Sequence, residues 1–83
     1  MPEYFDFQDG NGLVPAHKHS NGGGWVADTA TVAPTAFVGG YSKVFGYAQV
    51  LENAQVFGNA KIFGNAQVFG HAKVFGYAKV SGW

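Results

Sequence analysis

The residues best suited to chemistry lie in one short stretch, His17-Lys18-His19-Ser20-Asn21-Gly22-Gly23-Gly24-Trp25. Three consecutive glycines bare backbone N–H groups that can cradle a phosphate or carboxylate. The His17 and His19 rings, the Lys18 ammonium and Asn21 add polar groups, and Trp25 offers a flat face for stacking a base. The same residues also fit an architectural role, in which three glycines let the chain swing into the next element and Trp25 lids a core. Neither a Walker lysine pattern nor a strand–GxGxxG–helix context surrounds them, so the fingerprints of nucleotide enzymes are absent. Outside this stretch, Lys43, Lys61 and Lys79 recur at intervals of eighteen, and a third histidine stands at His71.

Composition narrows the classes that such residues can serve. The chain has 83 residues, no cysteine, and five basic against five acidic side chains. One small domain is the ceiling, and neither a disulfide scaffold nor a cysteine-ligated zinc site can be built. A net charge of zero gives no basic field for a nucleic-acid polymer, so general DNA or RNA binding is not expected. The apolar runs fall far short of the ~20 residues needed to cross a bilayer, and the N-terminus lacks the basic-then-apolar layout of a secretory leader. A soluble protein without a membrane partner is the expectation. Aromatics make up 17% of the chain and charges only 12%. Fourteen rings in so short a chain must be covered by something.

The elements that position these residues follow from a strict repeat. Val26, Val32, Val38, Val44, Val50, Val56, Ile62, Val68, Val74 and Val80 recur every six residues. Four places after each of the first nine stands a small residue, Ala in every case but Ser42. Period six scatters positions over all faces of a helix, so the pattern predicts short strands separated by tight turns. The branched residue and the small one two places before it share the inner strand face. Gly at 40, 46, 58, 64, 70, 76 and 82 and Asn at 53, 59 and 65 supply the turns.

From Val26 to Trp83 the pattern, with consensus V-F-G-N-A-K, resembles the hexapeptide repeat of the left-handed parallel β-helix superfamily. The likeness implies three hexapeptides per triangular coil, about three coils in all, and a left-handed path. With eighteen residues per coil, Lys43, Lys61 and Lys79 form one ladder, with Phe45 and Phe63 beside it. Gln49, Gln67, Leu51 and Phe69 fall on a second face, and Phe37, Gln55, Lys73, Phe57 and Phe75 on a third. The fold class expected is therefore an all-β, left-handed parallel β-helix over residues 26–83. Residues 1–25 are expected to form an N-terminal arm or hairpin with a Gly-rich entry, because Tyr4-Phe5-Asp6-Phe7-Gln8 alternates before the turn at Asp9-Gly10-Asn11-Gly12. Such an arm would cap an otherwise open solenoid end.

A narrow core of branched aliphatics and alanines, with Phe columns outside it, predicts self-association. The superfamily likeness makes that a homotrimer or a multiple of three, with Phe45, Phe57, Phe63, Phe69 and Phe75 as the interface. Stacked lysines repel one another unless an anion or an acidic group lies among them. Residues 1–42 carry a net charge of −3 and residues 43–83 carry +3, so an acidic arm from a neighbouring subunit would serve as well as a ligand. The leading functional expectation is a non-enzymatic protein that holds or sequesters a small anionic, nucleotide-like molecule at intersubunit grooves. Its ligand would be held by His17, Lys18, His19, Asn21, Gly22, Gly23, Gly24, Trp25, Lys43, Lys61 and Lys79. Likeness to short bacterial and phage hexapeptide-repeat proteins places it in the cytoplasm of a bacterium or an infected host. One alternative is a structural module that binds protein through its flat faces. The other is a minimal acyltransferase using His71 as base, although the superfamily's acyltransferases are longer and carry an inserted loop. The three histidines do not match the ligand pattern of the superfamily's zinc enzymes, and neither metal nor cofactor is the leading expectation. His17 and His19, one residue apart on a strand, would nevertheless point the same way and keep a metal site open as an alternative.

Overall fold

A branched residue every six places, with an alanine two places before it, leaves each hexapeptide only two to four residues in which to extend before it must bend. The computed structural model, which describes residues 3–8 and 10–82, shows the result as a parallel β-solenoid of about three coils without a helix among those residues. The first coil holds β3 (Trp25–Ala27), β4 (Thr31–Val32) and β5 (Phe37–Val38), and the second β6 (Lys43–Val44), β7 (Gln49–Val50) and β8 (Gln55–Val56). The third holds β9 (Lys61–Gly64), β10 (Gln67–Val68) and β11 (Lys73–Val74), and β12 (Lys79–Gly82) follows. Before them, β1 (Glu3–Asp6) and β2 (Leu13–Lys18) form an antiparallel hairpin.

Successive coils stack in register, Val26 on Val44 on Ile62 on Val80. Backbone N–H groups of one coil donate to carbonyls of the next, as Thr31 does to Ala48 at 2.9 Å and Phe45 to Ile62 at 2.9 Å. Within the stack Val26, Val38, Val44, Val50, Val56 and Ile62 are fully buried, and the alanine column is interrupted by Ser42, equally buried. Toward the last strands Val74 and Val80 are only half-buried.

The turns explain the glycines. Gly58 has φ 72°, and a Cβ there would lie 2.7 Å from the Gly76 nitrogen of the next coil. Glu52 occupies the equivalent turn position at φ 61° without being a glycine. This is backbone that an L side chain adopts only at a cost.

The hairpin expected at the N-terminus does more than close an end. Strand β2 pairs antiparallel with β3, aligning Ala16 with Ala27 and Lys18 with Trp25, so that one face of the solenoid becomes a six-stranded sheet ordered β1-β2-β3-β6-β9-β12. The other two faces are the three-stranded sheets β10-β7-β4 and β11-β8-β5. Over the outer side of the six-stranded sheet a second apolar cluster forms from Phe7, Ala16, Ala27 and Phe45, with Phe5, Val14, Trp25 and Phe63 packed against it. One ring assigned above to a subunit interface, Phe45, is thus covered by the chain's own Phe7 and only 7% exposed. Phe5 and Phe7 reach this position because alternate residues of an extended segment share a side. No helix among the described residues is long and apolar enough to cross a membrane.

Candidate functional site

The stretch from His17 to Trp25 divides into residues that hold the fold and residues that face outward. His19 turns over the N-terminal end of the core, where it is 7% exposed, and its Nε2–H donates to the Ala36 carbonyl at 2.8 Å. Asn21 donates to the same carbonyl at 3.2 Å, and its own carbonyl accepts from Val38 N–H at 3.0 Å. Two of the three glycine N–H groups expected to cradle an anion are engaged inside the chain. Gly23 donates to the His19 carbonyl at 2.9 Å and Gly24 to the Val38 carbonyl at 2.9 Å. A Cβ on Gly22 would lie 2.2 Å from the Val38 oxygen, and one on Gly24 2.4 Å from the Gly39 oxygen. Close backbone approach therefore explains Gly22 and Gly24, and a φ of 79° explains Gly23, as this loop lays itself along the free edge of β5.

His17 points away from His19's task. Its Nδ1 donates to Asp28 Oδ1 at 2.7 Å, both side chains being about half exposed. The two histidines therefore do not converge, and among the described residues no three histidine, aspartate or glutamate side chains are grouped to share a metal ion. His71 lies exposed in the turn between β10 and β11, and no described residue hydrogen-bonds to its ring. A catalytic imidazole is usually oriented by such a partner.

What the structure does bring together is a single row on the six-stranded face. Lys18 stands opposite Trp25, Trp25 opposite Lys43, Lys43 opposite Lys61, and Lys61 opposite Lys79, each pair in register on neighbouring strands. Neighbouring rungs lie about 4.8 Å apart. The Lys18 ammonium sits 5.5 Å from the Trp25 ring centroid, and the Lys43 ammonium 5.8 Å from that of Phe5. Phe5 stacks on Trp25 at 4.7 Å with 22° between planes. These rings hold the first two ammonium groups over π faces. Among the described residues, Lys61 and Lys79 have no such partner, and no lysine of the row ion-pairs with an acidic side chain.

Beside the lysines runs a column of rings. Phe7 stacks on Phe45 at 5.0 Å and Phe45 on Phe63 at 5.3 Å, with 20° and 11° between planes. Between column and row lies a groove of about 370 Å³ lined by Phe7, Gln8, Phe45, Lys61, Phe63 and Lys79. Three of these, Phe7, Gln8 and Lys79, come from outside the second and third coils, and Phe7 and Gln8 were not singled out by the repeat. The alternation around Phe5 and Phe7 was the one signal that pointed to them.

The other Phe rings expected at the subunit interface lie elsewhere. Phe57 stacks on Phe75 at 5.4 Å on the β5-β8-β11 face, and Phe69 lies beyond β10 on the third face. Phe69 and Phe75 are exposed, at 58% and 60%. Comparison of the chain with known proteins finds no matching family model, no matching curated protein and no matching solved structure.

Proposed function

We propose that this chain is a non-enzymatic, self-associating binding protein that holds a small anion on its lysine-bearing face. The observation that carries the reading is the in-register row of Lys43, Lys61 and Lys79, whose charges have no acidic counterpart among the described residues. Like charges on neighbouring strands destabilise a sheet, and a bound anion removes that cost while gaining two or three charge-assisted contacts at once. The Gly22–Gly24 loop and His19 hold the first coil through Ala36 and Val38, while Lys18 and Trp25 extend the row. On this reading the chain is a short hexapeptide-repeat protein, and its coil is left-handed by that likeness.

Self-association proceeds through the rings that the hairpin leaves uncovered. Phe69 and Phe75, with half-buried Phe57 and Leu51, occupy the two faces that lack lysine ladders. A homotrimer built through them buries those rings and leaves the lysine face open to ligand. Phe63 remains half-buried at the groove. Native mass spectrometry of the purified protein tests both halves. The expected spectrum is a trimer, or a multiple of one, carrying extra mass that is lost when Lys61 and Lys79 are replaced by glutamine. A bare oligomer that gains no mass from added anions would favour a purely structural module, and a bare monomer would refute the self-association.

A further inference from the structure

Among the described residues, the aromatic column beside the lysines has three rungs where the sheet has room for a fourth. Phe7, Phe45 and Phe63 stack nearly parallel, yet the residue in register with Phe63 on the next strand is Ser81, a small and exposed side chain. Among the described residues, none sets a ring on the outer face of Phe63 at the place where the spacing of the sheet would put the next one, about 4.8 Å away. Lys61 and Lys79 flank that place in the adjacent row, and the groove they line with Phe63 is open to solvent. The rest of the ring column is covered, since Phe7 is 2% and Phe45 7% exposed.

We propose that this gap at Ser81 is a stacking slot and that the ligand of the lysine face is a planar aromatic anion. Its ring takes the fourth rung on Phe63, and its anionic group lies between the Lys61 and Lys79 ammonium groups. This inference rests on the anion-binding reading above and adds the chemical class of ligand to it. A ring on Phe63 buries apolar surface that otherwise faces water and adds an offset-stacked contact to the charge pairing. A purely aliphatic or inorganic anion can use the lysines alone. The slot therefore selects for aromatic over non-aromatic anions of equal charge.

The two contributions separate by titration calorimetry with two probes, 1-naphthyl phosphate and inorganic phosphate, on the full chain. The wild type is expected to bind the naphthyl ester at least about tenfold more tightly than phosphate, a ratio within the range of single-ring stacking. Ser81→Phe fills the slot with the missing ring and should bring the two affinities together. Lys61→Gln with Lys79→Gln should weaken both probes. Equal affinities in the wild type, or a naphthyl preference that survives Ser81→Phe, would overturn the slot while leaving the lysine site standing. Failure of both probes to bind the wild type would overturn the lysine site and the slot with it.

Discussion

The Phe7 ring lies on the Phe45 ring, centroids 5.0 Å apart and planes within 20°, so that a residue of the N-terminal hairpin covers an outward-facing residue of the second coil. Phe7 is 2% exposed even though it belongs to no repeat. The hairpin is thus part of the solenoid's packing. Phe7→Ala is expected to destabilise the protein by about 3 kcal/mol, as for other large buried rings. Guanidinium unfolding followed by tryptophan fluorescence measures it, because Trp25 belongs to the same cluster. A loss below about 1 kcal/mol would mean that the hairpin rests on the sheet without holding it.

Glu52 stands at φ 61° in a turn where Gly46, Gly58, Gly64, Gly70 and Gly76 take the same conformation. Glu52→Gly is expected to stabilise the protein by about 1 kcal/mol, the cost of left-handed backbone for an L residue less the entropy that glycine loses on folding. The backbone carbonyl that accepts from the Thr35 hydroxyl at 2.6 Å is retained in the variant. A shift in thermal midpoint tests it, and a fall in stability would contradict the account of the turn.

Ser42 breaks the alanine column with a hydroxyl that is fully buried and has no hydrogen-bond partner among the described residues. An unsatisfied buried hydroxyl costs about 1–3 kcal/mol. Ser42→Ala should therefore raise stability by about 1 kcal/mol, read as a higher guanidinium midpoint with an unchanged slope. A destabilised variant would show that the hydroxyl is bonded in solution.

The loop over residues 19–24 separates support from binding. His19→Ala removes the donor to the Ala36 carbonyl, and Gly24→Ala sets a Cβ against the Gly39 oxygen and Val38. Each is expected to cost about 1–3 kcal/mol of stability. Neither should change phosphate affinity measured well below the unfolding transition. Loss of binding in a variant of unaltered stability would return the anion site to the glycine loop.

The repeat carried most of the fold in plain view. Ten branched residues at one spacing predict short stacked strands, and the structure stacks Val26, Val44, Ile62 and Val80 as that spacing requires. The lysine ladder was legible for the same reason, since in-register stacking turns a sequence interval into a spatial neighbour. The hairpin's destination was not. Alternation places Phe5 and Phe7 on one side of a strand, but only the pairing of β2 with β3 determines that this side meets Trp25 and Phe45. The glycine loop was less legible. Bare N–H groups signal an anion cradle or a close backbone approach equally well, and the neighbouring β5 edge, which takes up the Gly24 N–H, is not written in the repeat.

If the lysine row is an anion site, the protein binds inorganic tripolyphosphate with an affinity that depends on salt. Titration calorimetry at two ionic strengths, on the wild type and on the variant with Lys43, Lys61 and Lys79 all replaced by glutamine, is the measurement. The row predicts binding that weakens as salt screens the ammonium groups and an affinity at least about tenfold lower in the variant, with the oligomer unchanged. Equal affinity in the two proteins, or binding indifferent to salt, would contradict it.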